Sequence, residues 1–198
     1  MFTGLIQKIA TVKSINSKHG DIQCVFSIID SSSFTVNEGD SLSINGVCLT
    51  AYNINNNFFS VDISNETLDI TTLAQLCSGY KVNIESALCL NDKLGGHLVS
   101  GHVDCMAKVI DMHKDARSYR VSFQLDNCYF SKYIVKKGSI CVDGVSLTVN
   151  DDSNDTFSVN IIPFTWSNTI MMYYKIGTKV NIEIDRIALH VEKLIQKK

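Results

Sequence analysis

The sequence predicts an all-β protein made of two tandem copies of a small β-barrel, followed by a C-terminal α-helix. The first observation behind this prediction is an internal repeat. Without gaps, residues 44–85 match residues 142–183 at 17 of 42 positions, whereas unrelated sequences of this composition would match at roughly two to four. A second, slightly shorter shift places Thr3-Gly4-Leu5-Ile6 on Ser100-Gly101-His102-Val103. The 198 residues therefore form a duplicated domain.

The second observation is the spacing of turn signals, which separates about six short strands in each copy. Residues 1–12 read as a first strand, in which Gly4 indicates close approach of another backbone or of a ligand. A second strand covers residues 22–29 and ends at the serine turn of residues 31–33.

Two hairpins recur in both copies. Asn45-Gly46 and Asp143-Gly144 each stand between alternating polar and apolar runs, which predicts a two-residue turn with positive φ at both central positions. The polar stretches 53–57 and 151–155 mark the next hairpin.

The third observation is that helical patterns are few and local. Residues 71–76 and 169–174 each predict a short helical turn before a glycine. Residues 186–198 contain no turn signal and predict a helix, whose apolar face carries Ile187, Val191, Leu194 and Ile195. A helix of this length is marginal alone. Its face could pack on its own barrel or on a neighbouring subunit, and the sequence does not distinguish the two.

Composition excludes several classes of protein. A formal net charge of −2 gives no reason to expect nucleic acid or an anionic membrane as a partner. The seven scattered cysteines, without a Cys-x-x-Cys pair, favour a reducing compartment over a disulfide framework or a zinc site. His97 and His102 would lie on opposite faces of a strand, so we expect no shared metal. With no signal peptide or apolar span in this sequence, a cytoplasmic location is expected.

Candidate functional positions are those that occupy equivalent points in the two copies yet differ in chemistry. The pairs are Leu5 with His102, Asn45 with Asp143, Cys48 with Ser146, and Asp62 with Asn160, whereas Thr50 matches Thr148 and Ser41 matches Ser139. Such a barrel pair could hold two related ligands in unlike surroundings. Neutral drift on a barrel surface is the alternative, and for any single pair it is the simpler one.

Several motifs resemble the riboflavin synthase family along the whole chain. They are Met-Phe-Thr-Gly at the start, Asn-Gly-Val-Cys-Leu-Thr at 45–50, Glu-Thr-Leu at 66–68, Gly-Gly-His-Leu-Val-Ser-Gly-His-Val-Asp at 95–104, Asp-Gly-Val-Ser-Leu-Thr at 143–148 and Val-Asn-Ile-Glu-Ile-Asp at 180–185. The resemblance implies two Greek-key six-stranded barrels, with domains at 1–97 and 98–186 and an oligomerisation helix at 187–198.

The implied reaction is the last step of riboflavin biosynthesis, in which two molecules of 6,7-dimethyl-8-ribityllumazine exchange a four-carbon unit. The products are riboflavin and 5-amino-6-ribitylamino-2,4(1H,3H)-pyrimidinedione. No metal or redox cofactor is implied. The family pattern further implies a homotrimer with each site between the first barrel of one subunit and the second barrel of the next. It leaves open an association with lumazine synthase.

Carried over by position, the resemblance implies two lumazine-binding sets. The first is Gly4, Leu5, Ile6, Cys48, Leu49, Thr50, Asp62, Ile63, Ser64, Asn65, Glu66 and Thr67; the second is Gly101, His102, Val103, Lys137, Ser146, Leu147, Thr148, Ile162, Pro163, Phe164 and Thr165. The reaction removes a proton from a ring methyl group, so His102 with Ser146 and Thr148 is the predicted proton-handling cluster. Ser41 and Cys48 are candidates for activating the acceptor, and Asp143 and Asp185 for orientation or charge balance.

One feature bears on the alternative that the chain binds lumazine without catalysis, as the lumazine proteins of the same family do. Those proteins typically lose the run at 95–102, which is intact here and favours the enzyme. Phe164 and Trp166 stand where the family usually has Glu and Leu, so the second ribityl pocket is expected to differ in its side-chain contacts.

Overall fold

The computed structural model describes residues 1–18, 20–28 and 34–196, and within them it confirms two mostly β units followed by a helix. The first unit contains β1 (Lys8–Lys18), β2 (Asp21–Ile28), β3 (Ser41–Ile44), β4 (Val47–Thr50), β5 (Tyr52–Asn55), β6 (Phe58–Ile63) and β7 (Lys81–Ser86). The second contains β8 (Cys105–Asp115), β9 (Ser118–Leu125), β10 (Ser139–Val142), β11 (Val145–Ser153), β12 (Thr156–Ile161) and β13 (Lys179–Ile184).

The second unit is a closed antiparallel barrel with the order β10-β11-β12-β9-β8-β13. Strands β10, β11 and β12 follow one another as a meander, and β13 returns to lie beside β10, which is a Greek-key arrangement. The closed six-stranded barrel predicted for the second copy is therefore confirmed.

The first unit repeats this order as a seven-stranded sheet, β4-β3-β7-β1-β2-β6-β5. The extra strand arises at Ala51, where the counterpart of β11 divides into β4 and β5. In β11 the register shifts just after the equivalent residue, Val149. Both copies therefore bend at the same point, but only in the second does the strand pairing continue around the barrel.

The repeated hairpins have the predicted backbone. Asn45 and Gly46 have φ of 46° and 81°, and Asp143 and Gly144 have φ of 45° and 81°. The two hairpins also touch each other, because a Cβ built on Gly46 would lie 2.8 Å from the Gly144 nitrogen. These turns thus form the seam between the barrels, and only glycine fits there.

Each barrel encloses its own apolar core. A stacked pair of phenylalanines lies in each, Phe26 with Phe59 at 5.4 Å and Phe123 with Phe157 at 5.1 Å between ring centroids. The pairs occupy equivalent strands, so the duplication preserved the packing as well as the turns.

The N-terminal segment differs from its prediction. Residues 1–7 form no continuous strand; Phe2 makes a single bridge to Val99, and β1 begins only at Lys8. The segment lies across the seam as an arm, because Gly4 lacks a Cβ and adopts φ of 77° where the other barrel approaches. The close backbone approach predicted for Gly4 is confirmed. The predicted serine turn at 31–33 lies outside the described residues.

Helical elements are short except at the C-terminus. Helices α1 (Asn65–Ile70) and α2 (Pro163–Asn168), which the sequence analysis did not predict, precede the predicted turns, seen as 3₁₀ turns at Thr72–Gln75 and Ile170–Tyr173. A third 3₁₀ turn covers Cys128–Tyr133. Helix α3 spans Arg186–Ile195, and the last two residues of the predicted helix lie outside the described part. No helix in that part is long and apolar enough to cross a bilayer.

Helix α3 packs on the second barrel through a different face from the apolar one identified in its sequence. Ala188 and Leu189 pack against the second barrel. Glu192 accepts hydrogen bonds from Lys132 and from the Tyr133 hydroxyl. The face predicted to be apolar points away and is exposed: its members are Ile187, Val191, Leu194 and Ile195.

Candidate functional site

Two arms, one before each barrel, cross the seam and lie against the opposite copy. The Ser146 amide donates to the Gly4 carbonyl at 2.8 Å, and the Cys48 amide donates to the Gly101 carbonyl at 2.8 Å. A Cβ on Gly4 would lie 2.5 Å from Ser146 Cβ, and one on Gly101 would lie 2.6 Å from Cys48 Cβ. The two members of the mismatched pair at 48 and 146 therefore each contact the arm of the other copy.

A buried glutamate in each barrel holds the arm that belongs to its own copy. Glu85 accepts from the Thr3 amide and hydroxyl, both at 2.6 Å, and from the Gly4 amide at 3.0 Å. Glu183 accepts from Ser100 and from the amides of Gly101 and His102. Burial raises the pKa of Glu85, opposed by the Thr3 and Gly4 hydrogen bonds. Each carboxylate thus fixes the glycine that reaches across the seam.

This crossing changes how the predicted ligand-binding residues group within one chain. Ile6 packs against the core of the second barrel, and Val103 packs against the core of the first. Residues 4–6 accordingly lie beside Ser146, and residues 101–103 lie beside Cys48. The resemblance had instead grouped residues 4–6 with Cys48 and residues 101–103 with Ser146. The repeat alone could not reveal this, because the arms match each other whichever barrel they contact.

The first barrel carries a cavity of about 350 Å³ beside β4. Its lining consists of Cys48, Leu49, Thr50, Tyr52, Asp62, Ser64 and Thr67. All except Tyr52 were predicted ligand-binding residues. Ile63, between two of them, is buried in the barrel core instead. Ser64 caps α1 by accepting from the Thr67 amide, so the helix start presents Asn65 and Glu66 next to the cavity rim.

Tyr52 organises the polar end of this cavity. Its hydroxyl donates to Asp62 Oδ1 at 2.5 Å and accepts from Gln23 at 2.6 Å, while Lys18 lies 3.0 Å from Asp62 Oδ2. The Tyr52 hydrogen bond is the largest cause that lowers the pKa of Asp62, and Lys18 adds to it. A carboxylate and several hydroxyl groups at this end of the cavity can thus form hydrogen bonds with a polyhydroxylated chain.

On the second barrel, the corresponding surface is more apolar. Thr148 is exposed and pairs with Ser139, and Leu147 packs on the core. Ile162 and Phe164 are exposed at the start of α2, where Pro163 occupies its first turn and precedes Thr165. Lys137 lies in the turn before β10, with φ of 70° and its amide donating to Val149.

Of the two positions that depart from the family pattern, only one points outward. The Trp166 ring stacks on Tyr119 with 3.9 Å between centroids, whereas Phe164 is 75% exposed. Phe164 is therefore accessible to a ligand, whereas Trp166 packs α2 against β9 through Tyr119.

His97 contacts Ser146, although the sequence analysis did not assign His97 to the site. Its Nδ1 lies 2.6 Å from Ser146 Oγ. Residues 97–103 do not form the strand assumed for this stretch, which contains only the bridge at Val99. The two histidines of the run thus serve different barrels, His97 at Ser146 and His102 beside the Cys48 contact.

Asp143 is buried at the seam, 2% exposed. Its Oδ1 accepts from the Asn181 amide at 2.8 Å and its Oδ2 from the Tyr174 hydroxyl at 2.5 Å. Burial raises the pKa of Asp143 to about 7, although both hydrogen bonds lower it. In the described part of the chain, the side-chain oxygen of its counterpart Asn45 accepts only the equivalent amide, from Asn83. The Asn–Asp difference therefore matches an added tyrosine, because Tyr174 stands where the first copy has Leu76.

The remaining candidates lie on the framework near the site. Asp185 caps α3 by accepting from the Ile187 amide at 2.9 Å, and Ser41 pairs with Thr50 at the edge of the first cavity. Arg186 links the helix to the second arm, since it donates to the His102 carbonyl and to the Ser100 hydroxyl. The start of α3 and the second arm thus form one unit.

Comparison with known proteins identifies the fold and the family. A family model described as the lumazine binding domain matches residues 3–87 and 100–185. Riboflavin synthase of Bacillus subtilis (strain 168) is 39% identical over 197 residues, covering 100% of this chain and 91% of that protein. Riboflavin synthase of Photobacterium phosphoreum is 37% identical over 195 residues, covering 98% and 89%. The chain belongs to the riboflavin synthase family.

A solved structure supports the same fold for this riboflavin synthase family member. LumP complexed with 6,7-dimethyl-8-(1'-D-ribityl) lumazine has a TM-score of 0.83 and 22% identity, and the match covers 93% of this chain and 99% of that chain. The duplicated barrel is thus common to both. The riboflavin synthases, by contrast, match along the full chain at higher identity and make this family one of enzymes.

Proposed function

We propose that the protein converts two molecules of 6,7-dimethyl-8-ribityllumazine into riboflavin and 5-amino-6-ribitylamino-2,4(1H,3H)-pyrimidinedione. The observation that carries the proposal is the pair of crossed arms. They create two related surfaces whose central groups differ, Cys48 on one and Ser146 on the other. A reaction between two identical molecules in opposite roles needs such a pair of similar but unequal sites.

The first lumazine would bind in the cavity beside β4. A volume of about 350 Å³ suits a small heterocycle with a side chain. Cys48, Leu49 and Thr50 would face the ring, and Asp62, Ser64 and Thr67 would bind the ribityl hydroxyls. The Tyr52–Asp62 hydrogen bond supports this assignment, because it holds the carboxylate in place before a ligand arrives.

The second lumazine would bind on the equivalent surface of the second barrel. Ser146, Leu147 and Thr148 would face the ring, with Gly4, Leu5 and Ile6 beside them. Ile162 and Phe164 would form an apolar wall, and Lys137 would lie at the edge. The contrast between this wall and the polar end of the first cavity would allow the two ligands to bind with different geometry.

The complete site would form between two subunits of a homotrimer. Within one chain His102 lies on the arm that contacts the first barrel, whereas Thr148 belongs to the second. Joining the first barrel of one subunit to the second barrel of the next would bring these groups together. The exposed apolar side chains of α3 and the exposed Leu5, Ile162 and Phe164 support association of copies.

The chemistry would begin with removal of a proton from a methyl group that the heteroaromatic ring makes acidic. His102 would act as the base, with Thr148 and Ser146 of the facing barrel donating to the anion. The deprotonated methyl carbon would then attack the ring of the lumazine in the first cavity, which Cys48 and Ser41 would help to activate. Asp143 and Asp185 would act through the framework, because one is buried at the seam and the other caps α3.

Incubation of the purified protein with the lumazine tests the activity directly. We expect riboflavin to appear at one molecule for every two lumazines consumed, without an added metal or nucleotide. The His102→Ala variant should lose about 10²–10⁴ in rate while still binding the lumazine. Stable retention of fluorescent lumazine without turnover would instead indicate a binding protein of the same fold.

Mixing two inactive variants tests the shared site. One subunit would supply both His102 and Cys48 to a site, and the next subunit would supply Ser146. The complementing pair is therefore His102→Ala with Ser146→Ala. Dissociation and reassembly should restore sites with both residues intact. The matched control is His102→Ala with Cys48→Ala, which leaves no intact site and should restore nothing. Mixed assemblies, confirmed by mass, that are no more active than either parent would count against a site between subunits.

Three further assignments complete the proposal. The domains would run from 1 to 97 and from 98 to 186, with residues 187–198 serving oligomerisation. The location would be the cytoplasm, consistent with seven free thiols. Co-purification would test the association with lumazine synthase that family membership leaves open.

A further inference from the structure

His97 belongs to the connection between the two barrels, in the stretch between β7 and β8. It reaches the second barrel because Gly96 precedes it. A Cβ on Gly96 would lie 2.1 Å from the Thr3 carbonyl oxygen and 2.8 Å from Ser146 Cβ. Ser146 therefore has an imidazole neighbour that the connection supplies, whereas no imidazole is hydrogen-bonded to the Cys48 thiol among the described residues.

The surroundings of the His97 ring select one tautomer. Nδ1 lies 2.6 Å from Ser146 Oγ, and Nε2 is buried without a hydrogen-bond partner among residues 1–18, 20–28 and 34–196. A buried N–H without an acceptor is costly. A neutral imidazole therefore places its single proton on Nδ1, where Ser146 Oγ accepts it.

The neutral form is favoured as well. Burial is the largest influence on His97 and lowers its pKa below the ordinary value, against the opposing charges of Asp185 and Glu183. A neutral ring with its proton on Nδ1 can only donate to Ser146. The serine hydroxyl must then direct its own hydrogen elsewhere, and among the described residues its oxygen has no hydrogen-bond partner besides His97.

We propose that His97 is a positioning residue that fixes Ser146 as a hydrogen-bond donor toward the lumazine on the second barrel. The inference rests on the proposed function for the identity of that ligand. Donation from His97 also polarises the hydroxyl, which strengthens its bond to a ring oxygen or nitrogen that gains negative charge. Cys48 is a weak thiol donor, and no imidazole donates to it within the part of the chain that the structure describes, so it cannot do the same for the other ring. The connection between the barrels thus supplies part of the asymmetry that the reaction needs.

The test compares three substitutions at position 97 in the full-length protein. The side-chain amide of His97→Asn can donate from the place of Nδ1, whereas that of His97→Gln reaches the place of Nε2. We expect kcat to fall about 10- to 100-fold in His97→Ala and His97→Gln, with KM changed far less. His97→Asn should remain within about 3-fold of the parent. Equal losses in the Asn and Gln variants would overturn the inference.

A double variant separates positioning from general support of the fold. In a Ser146→Ala background, the further change His97→Ala should lower kcat by less than about 3-fold, because the two residues act as one unit. Independent losses that multiply would overturn the proposal.

Nitrogen NMR of the ligand-free protein keeps this inference distinct from the proposed reaction. Long-range proton–nitrogen correlations should show His97 protonated at Nδ1 at neutral pH, and a ring protonated at Nε2 would refute the assignment. Absence of riboflavin formation by the parent protein would refute the proposed function and leave the NMR result standing by itself.

Discussion

Replacement of Asp143 by Asn should remove a strong pH dependence from the stability of the protein. The carboxyl group is buried at the seam, and its pKa rises from 3.8 to about 7 on folding. A group whose pKa is raised in the folded state favours folding below the pKa of the unfolded chain. That contribution is lost as the pH rises through about 4 to 7.

The magnitude follows from the size of the shift. About three pKa units at 1.36 kcal/mol each correspond to about 4 kcal/mol in total. Of this, about 2–3 kcal/mol falls between pH 5 and pH 8. The first copy shows that an amide fits this position, because Asn45 accepts the equivalent backbone hydrogen bond from Asn83. The Tyr174 hydroxyl can accept from the new amide group as readily as it donates to the carboxylate.

Urea unfolding at pH 5 and pH 8, at one protein concentration, measures the effect. The free energy of unfolding of Asp143→Asn, relative to the parent protein, should rise by about 2–3 kcal/mol between the two pH values. Asp69→Asn, at an exposed position of α1, is the control and should follow the parent. Parallel pH dependences of Asp143→Asn and the parent would refute the claim that this carboxyl titrates near neutrality because of burial.

Three other substitutions test the arms, the helix and the first cavity. Gly101→Ala should lower the free energy of unfolding by about 2–5 kcal/mol, since it adds a clash with Cys48 to the strain of positive φ. The control, Gly79→Ala, has open space around it and should lose only about 1–2 kcal/mol in urea unfolding. Equal losses in the two variants would contradict the contact between Gly101 and Cys48. If the proposed assembly uses the exposed face of α3, Leu194→Asp should reduce the sedimenting mass while leaving both barrels folded by circular dichroism, and an unchanged mass would contradict that role of the helix. Tyr52→Phe should raise KM by about tenfold with little change in kcat, because it removes a hydrogen bond to a carboxylate; a fall in kcat alone would argue against a purely binding role.

Local signals predicted much of this fold. The Asn-Gly and Asp-Gly turns, the short helical turns and the C-terminal helix depend on neighbouring residues, and the structure has them at the expected places. The repeat predicted two units of one topology, because matching residues at equivalent positions pack alike. The predicted start of the first strand at residue 1 was wrong, because β1 begins at Lys8. Residues 1–7 contact the other barrel, and such long-range contacts leave no local pattern in the sequence.

The relations across the seam were the part that sequence could not provide. The exchange of arms brings Gly4 to Ser146 and Gly101 to Cys48, contacts that join residues far apart in the chain. The partner that accompanies the Asn45–Asp143 difference, Tyr174, stands far along the chain in a turn where the first copy has Leu76. His97 escaped notice because it lies in the connection, outside the stretches in which the two copies were matched to each other.

The crossed arms also determine how the protein should respond to a cut in its chain. The connection at residues 90–94 is exposed, and Leu90 has no protection from solvent. A protease that cleaves there would leave two fragments, each beginning with an arm that lies on the other. Gly4 would still contact Ser146, Gly101 would still contact Cys48, and the hairpins would still meet at Gly46 and Gly144. The nicked molecule should therefore persist as a non-covalent pair, so the peptide link between the halves is dispensable for holding them together.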